Sequence, residues 1–230
     1  LFALLQNYQE AITIAAETLD RLGRSIDLHS ALLRDEVEAI FDELYRLDTP
    51  TLLAEQDACG DEVSEMCSAI LSSLLLVTYT FDHDRFVHVV IRFIELLLNH
   101  GMTKDGPKAI STLGQLFAVR KHDFAKALAL GELAEKLSRN NEWEHTRAIV
   151  LCDLANFIRP WTTDINQSKA LNFDAHALAV KAANWQYAGY TLMHHAYNSF
   201  ASGQALDSII LQSKKSLDRL QAIDNSLAKS

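Results

Sequence analysis

The chain has 230 residues, of which 49% are hydrophobic, a formal charge of −9, and only 8 glycines and 3 prolines. So few turn residues disfavour a β-sandwich or barrel, and the abundance of good helix formers favours helices throughout. The acidic balance and the lack of any run of five lysines and arginines exclude a typical nucleic-acid-binding surface.

The cysteines and the apolar runs bear on the compartment of the protein. Cys59, Cys67 and Cys152 follow no metal-binding or disulfide spacing, which is typical of reduced thiols in the cytoplasm. The most apolar runs, residues 69–77 and 93–98, are shorter than the roughly 20 residues of a membrane span. We therefore expect a cytoplasmic protein without membrane insertion. Because the chain begins with leucine inside an amphipathic pattern, we also expect a fragment of a larger protein.

Hydrophobic periodicity and turn residues predict about ten helices joined by short loops. In chain order they cover residues 1–22, 28–47, 61–79, 82–100, 107–119, 123–138, 142–158, 165–182, 185–201 and 205–227. Asp123 and Asp164 are predicted N-caps, because an aspartate there accepts hydrogen bonds from the first turn of a helix. The longest irregular piece, residues 47–60, is the candidate bend between two groups of helices.

Internal repetition indicates how these helices are arranged. The pattern of residues 127–143 recurs in residues 170–185, and a repeat of roughly 34–47 residues is typical of TPR and HEAT helical pairs. The predicted fold is an all-α, TPR-like solenoid of antiparallel helical hairpins. Residues 1–58 would form N-terminal hairpins that open in mid-repeat, and residues 59–230 a TPR-like stack. A stripe of small residues, Ala127, Gly131 and Ala134, predicts close approach of a neighbouring helix.

Two patterns approach known catalytic or metal sites without completing them. Residues 101–108 resemble a phosphate-binding loop, but Pro107 stands where the lysine belongs and Ala109 replaces the metal-binding hydroxyl. Glu142 and His145 could form half of a di-iron site, yet the sequence has no second such pair. We therefore predict no catalytic residue, no cofactor and no metal in this segment, and we do not expect it to be an enzyme.

The candidate functional residues are aromatic. They are Trp185, Tyr187, Tyr190, His194 and Tyr197. Their spacings of three and four predict that they share one face of a helix. In a solenoid such a face belongs either to the core of a hairpin or to the concave groove that binds a partner or ligand, and helical spacing of aromatic residues favours the core.

Four segments carry a resemblance to a known family. They are residues 109–117, 123–134, 156–161 and 187–203. These segments resemble the helical region that follows the AAA-type "predicted ATPase" module of very large bacterial and fungal signalling proteins. The resemblance is strongest from about Ala109 to Leu220, and residues 47–60 are shorter than the corresponding part of the family. It implies a TPR-like regulatory scaffold in a protein that combines a serine/threonine kinase-like domain, an ATPase, a GAF sensor and a histidine kinase or another output domain.

The sequence therefore predicts a non-catalytic helical scaffold of a multidomain signal-transduction protein. Its expected partners are proteins, either neighbouring domains of the same chain or a signalling partner, and neither nucleic acid nor a membrane. The alternative is a helical domain that senses a small ligand through a pocket in its concave face.

Overall fold

The computed structural model describes residues 7–25, 34–139 and 143–227. Within these ranges the chain is all-helical and has no strand, which confirms the predicted class. The described residues form eleven α-helices: α1 (Tyr8–Arg21), α2 (Arg34–Arg46), α3 (Thr49–Ala54), α4 (Glu62–Phe81), α5 (His83–His100), α6 (Gly106–Leu116), α7 (Phe124–Leu137), α8 (Glu144–Asp153), α9 (Ile165–Lys181), α10 (Trp185–Ala201) and α11 (Leu206–Leu227). The predicted starts of the first two helices, residues 1–6 and 28–33, lie outside the described residues.

The helix that the sequence did not predict is α3. Pro50 was interpreted as a break, but it occupies the first turn of α3, where its missing N–H costs no hydrogen bond. The described chain divides into two compact units, residues 1–134 and 135–230, so the border falls within α7. The predicted bend at residues 47–60 lies inside the first unit.

Acidic and amide side chains fix where the helices begin. Asp164 accepts a hydrogen bond from the backbone N–H of Asn166 at 2.9 Å, and Asp123 accepts one from Lys126 at 2.9 Å. Both predicted N-caps are therefore confirmed. Asp61 caps α4 in the same way, and because its carboxylate accepts a hydrogen bond from the Ser64 hydroxyl, its pKa lies below the usual value.

Helix α5 is the centre of the first unit. It packs against α2, α3, α4 and α6, while α1 packs against α4. Apolar residues recur along α5 on more than one side, as expected for a helix covered by several neighbours. Phe93, Ile94 and Leu97 are fully buried there, together with Leu71 of α4 and Ile110 of α6.

An aromatic cluster joins α2 to the end of α6. The chain continues from α6 through a five-residue π-helical turn, Phe117–Lys121, in which Phe117 is fully buried. The Phe117 ring lies 5.5 Å from the ring of Phe41 and 5.3 Å from that of Tyr45, both on α2. Lys126 places its ammonium 5.5 Å from the Phe117 ring centre and donates to the carbonyl of Tyr45. Rings and cation together hold α2 in place.

Ion pairs reinforce the same junction. Lys121 pairs with Asp42 and Arg120 pairs with Glu38, so two cations of the π-helical turn meet two carboxylates of α2. The hydrogen bond from Lys121 lowers the pKa of Asp42. The Tyr45 hydroxyl donates to Asp123 at 3.1 Å, and this hydrogen bond raises the pKa of Tyr45.

The loop after α5 is tied to the segment before α4. The backbone N–H of Met102 donates to the carbonyl of Asp57 at 2.7 Å, and that of Cys59 donates to the carbonyl of Met102 at 2.8 Å. Gly101 makes this approach possible. It has φ +92°, and a Cβ there would lie 2.8 Å from the backbone oxygen of Asp57.

The second unit is built from helices that pack on their neighbours in sequence. α8 packs on α9, α9 on α10 and α10 on α11, and α10 also contacts α8. The interface of α9 with α10 includes small residues, among them the fully buried Ala179 of α9 and Ala188 of α10. Small side chains allow two helix backbones to approach closely. A second π-helical turn, Leu154–Ile158, follows α8.

The small-residue stripe on α7 is buried, as expected. Ala127 and Ala134 have no exposed surface, and Gly131 is buried with them. Replacing Ala134 by leucine or Gly131 by valine is expected to lower the free energy of unfolding by about 1–3 kcal/mol, because a larger side chain overpacks a buried helix face. Urea denaturation followed by circular dichroism measures this change.

The control for the stripe is Glu132→Leu, since Glu132 is exposed and the change should stay within about 0.5 kcal/mol. Glu135 was expected to be equally silent, but its carboxylate lies 3.1 Å from Arg139 and 3.9 Å from Arg159. Stabilisation by both Gly131→Ala and Gly131→Val would contradict close packing, because helix propensity alone favours these changes.

Candidate functional site

Helix α10 carries all five predicted surface residues and contains no Asp, Glu, Lys or Arg. It begins after Asn184, whose side-chain oxygen accepts a hydrogen bond from the backbone N–H of Tyr187 at 3.2 Å. Its inward side is small and polar, with Ala188, Thr191 and Ser199 fully buried. The large aromatic side chains therefore lie on the remaining sides of the helix.

The structure does not bring all five residues to one face. Tyr187 and Tyr190 are half-buried, pack against a buried cluster that includes Leu151 and Ala175, and meet edge to face with ring centres 5.6 Å apart. These two tyrosines contribute to the core. Trp185 precedes Tyr187 by two residues, which places it about 200° around an α-helix. Trp185 consequently does not share the face of the other four.

The last two predicted residues lead from the core to the surface. The His194 ring lies 5.4 Å from the Phe157 ring and 5.9 Å from the Tyr197 ring, edge to face in both pairs. Tyr197 itself is 60% exposed. The predicted aromatic residues of α10 thus lie partly in the core, near the start of the helix, and partly at the surface, near its end.

An exposed stripe surrounds Tyr197, and we call it the aromatic face. It consists of Met193, Tyr197 and Phe200. Spacings of four and three place these residues on one side of α10. Met193 is 41% exposed and Phe200 67%. Sequence reasoning missed Met193 and Phe200, although their spacing from Tyr197 was the available signal. Tyrosine, phenylalanine and methionine on a helix without Asp, Glu, Lys or Arg are typical of the buried centre of a protein–protein interface.

Two adjacent histidines on α10 are expected to make the stability of the fold depend on pH. Burial lowers the pKa of His194, and burial likewise lowers the pKa of His195, partly offset by a hydrogen bond to the backbone of Lys169. The folded chain therefore holds both rings neutral at a pH where the unfolded chain, with a histidine pKa of about 6.5, begins to take up protons. The free energy of unfolding should fall as the pH drops below that value.

The measurement is urea denaturation at a series of pH values between about 7.5 and 5.5, a window that brackets the histidine pKa of the unfolded chain. The double variant His194→Gln/His195→Gln should lose less stability across this window than the unchanged chain. The same substitution at the exposed His145 serves as the control and should leave the slope unchanged. An unaltered slope in the double variant would show that other groups cause the pH dependence.

A buried amide network lies beneath α10 and was also missed. Asn156 of the π-helical turn donates to the side-chain oxygen of Asn172 on α9 at 2.9 Å, and Asn172 donates back at 2.8 Å. Asn198 of α10 donates to the same oxygen of Asn156 at 3.0 Å. Because buried amides are costly when unpaired, this network specifies how α9 and α10 pack on the turn. It positions the helix that bears the aromatic face.

The loop that resembles a phosphate site has a structural role. Lys108 is only 6% exposed, and its ammonium donates to the backbone and hydroxyl oxygens of Ser72 on α4. The Thr103 hydroxyl lies 2.6 Å from that of Ser68. A lysine held in this way is directed into α4 rather than towards a ligand in the loop.

The possible metal ligands are the His, Cys, Asp and Glu side chains of the described residues. In residues 7–25, 34–139 and 143–227, no group of three His, Cys, Asp or Glu side chains is arranged to hold a metal ion. Glu142, half of the considered pair with His145, lies outside those ranges. The three cysteines are free thiols, and Cys67 and Cys152 are buried, as the sequence indicated. Burial raises the pKa of the Cys152 thiol, which disfavours the reactive thiolate.

One described helix, α4, is long and apolar enough to cross a membrane, with a mean hydropathy of 1.4 over its best 18 residues. The apolar run noted in the sequence, residues 69–77, is shorter and lies within this helix. Half of that window is buried inside the protein. The Ser68 and Ser72 hydroxyls of α4 bond to Thr103 and Asp105, which is the environment of a core helix.

Comparison of the chain with models of protein families, with curated protein sequences and with solved structures found no match.

Proposed function

We propose that this chain is a non-catalytic helical scaffold that binds a protein partner through the aromatic face of α10. The observation that carries the proposal is the exposure of Met193, Tyr197 and Phe200 on a 17-residue helix that has no charged residue. Burying a side chain of this size contributes about 1.5–3 kcal/mol, so a few of them are enough to anchor an interface.

The packing of the second unit supports a TPR-like solenoid as the form of this scaffold. Each helix from α8 to α11 packs on the next, and α10 also contacts α8. Contacts confined to near neighbours in sequence are the defining property of stacked helical hairpins. Repeats of this kind commonly present a binding surface formed by successive helices, and the aromatic face would be part of such a surface.

The resemblance to the helical region of large signalling proteins supplies the proposed context. In that setting the scaffold would receive or transmit signals by contact between nucleotide-dependent and output modules. The partner of the aromatic face would then be a neighbouring domain of the same protein or a separate signalling protein.

Site-specific photocrosslinking tests the proposal. A benzophenone amino acid replaces Phe200, and the protein is produced in the organism from which it comes. Irradiation is expected to link it covalently to one partner protein, seen as a single new band of higher mass. The matched control is Val119 in the first unit, which has the same 67% exposure but lies outside the aromatic face. The cross-link at Phe200 should also disappear in a Tyr197→Lys variant, because a lysine would place a charge in the apolar contact.

Two outcomes would count against the proposal. Equal cross-linking at Phe200 and Val119 would indicate random collisions, and a Phe200 product that survives Tyr197→Lys would place the contact elsewhere. Circular dichroism must show that the lysine variant remains helical, which is expected because Tyr197 is 60% exposed.

A further inference from the structure

Helix α11 carries an uncovered stripe of aliphatic residues. The helix packs mainly on α10. Leu206, Ile210 and Leu217 are 59%, 52% and 59% exposed. Spacings of four and seven place these three residues on one side of the helix, over a length of about 16 Å. We call them the α11 stripe. Large aliphatic side chains that are exposed together along one side of a helix indicate a contact surface.

Two opposite charges border the α11 stripe along the same edge. Asp207 and Lys214 lie about 100° and about 80° around the helix from Leu206, and a spacing of seven residues separates them. Both side chains are exposed, and in the part of the chain that the structure describes neither takes part in an ion pair. Lys215 is also exposed but lies about 180° from Leu206, on the opposite side of the helix.

This arrangement of charges is complementary to itself when a second α11 runs antiparallel to the first. In a pair of helices related by a twofold axis, the same edge of each helix meets its copy. Asp207 of one copy then lies beside Lys214 of the other, and the second ion pair repeats the first. The same register places Leu206 against Leu217 of the second copy and Ile210 close to the axis. The apolar contact and the ion pairs therefore require one and the same alignment.

We propose that two copies of this chain associate through the α11 stripe, with the two helices antiparallel and two Asp207–Lys214 ion pairs along the edges. Three aliphatic side chains from each copy make an interface below the standard size, so the dimer is weak and its population depends on concentration. The α11 stripe is separate from the aromatic face of α10. The dimer does not rest on the proposed docking function.

Sedimentation equilibrium of the whole chain over a wide range of concentrations tests this proposal, and it is expected to show a monomer–dimer equilibrium. Asp207→Lys or Lys214→Asp alone places like charges side by side at both edges and should weaken the dimer at least about tenfold. The combined variant Asp207→Lys/Lys214→Asp restores opposite charges and should return to within about threefold of the unchanged chain. A folding defect in a single variant cannot produce this recovery.

Lys215→Asp is the matched control, because it makes the same charge change on the opposite side of the helix and should leave dimerisation unchanged. Tyr197→Lys should also leave it unchanged, since Tyr197 belongs to the aromatic face. A chain that is monomeric at every concentration would overturn the proposal, as would a combined variant as weak as the single ones. Loss of the dimer in Tyr197→Lys, or equal weakening by Lys214→Asp and Lys215→Asp, would place the contact elsewhere and overturn it as well.

Discussion

Replacing Phe117 by alanine is expected to lower the free energy of unfolding by about 3–5 kcal/mol, the usual cost of removing a buried phenyl ring. The ring is fully buried and touches Phe41 and Tyr45, so its removal leaves a cavity and ends both aromatic contacts. The ammonium of Lys126, 5.5 Å from the ring centre, loses its partner face as well. Phe117→Leu should cost less, because leucine refills much of the cavity.

Two spectroscopic probes make this prediction specific. All three tryptophans, Trp143, Trp161 and Trp185, belong to the second unit, whereas circular dichroism reports on helices of both units. Urea unfolding of Phe117→Ala should therefore begin at a lower urea concentration when it is followed by circular dichroism than when it is followed by tryptophan fluorescence. Val119→Ala is the control from the same π-helical turn, and with 67% exposure it should change stability by no more than about 0.5 kcal/mol. If the circular-dichroism unfolding curves of Phe117→Ala and Val119→Ala coincide, this result would contradict the buried position of Phe117.

Gly101→Ala is expected to be the second most damaging change, at about 2–4 kcal/mol, because it combines backbone strain with a collision. At φ +92° and ψ 176° the backbone is in a region that only glycine adopts readily. An added Cβ would lie 2.8 Å from the Asp57 carbonyl oxygen and 3.3 Å from the Cys59 nitrogen. The chain would have to move at the place where these residues bond to Met102.

Gly23→Ala separates the two causes. Gly23 also has a positive φ, +70°, but a Cβ there would meet no atom within 4 Å. Its alanine variant should therefore show only the cost of the left-handed backbone, about 1 kcal/mol. The difference between the two variants, measured by urea denaturation in the same unit, is the contribution of the collision. Equal losses would mean that the contact between residues 57–59 and residue 102 is unimportant for stability.

The helices were largely predictable because their signals are local. Asp123 and Asp164 begin helices through hydrogen bonds within one turn, and Gly101 ends α5 because its backbone conformation favours glycine. The helix α3 was missed because Pro50 fits both a break and a first turn. The π-helical turns have no local signal, since their wider geometry follows from the packing of residues such as Phe117.

The candidate sites were less predictable because they depend on contacts between distant residues. Tyr197 lies at the exposed end of the predicted aromatic pattern. Trp185 was grouped with it, although the two do not share a face. The polar network of Asn156, Asn172 and Asn198 forms only once α9 and α10 have packed.

Hydroxyl-radical footprinting of Tyr197 and Phe200 tests most directly whether the aromatic face is a binding surface. Both side chains should be oxidised rapidly in the purified chain, where they are 60% and 67% exposed. Inside the cells that produce the protein, their oxidation should slow several-fold, while Tyr79, 43% exposed in the first unit, provides the reference rate. Protection of Tyr197 and Phe200 relative to Tyr79 is the predicted result. Equal oxidation of both residues in the purified chain and in cells would contradict a docking function for α10.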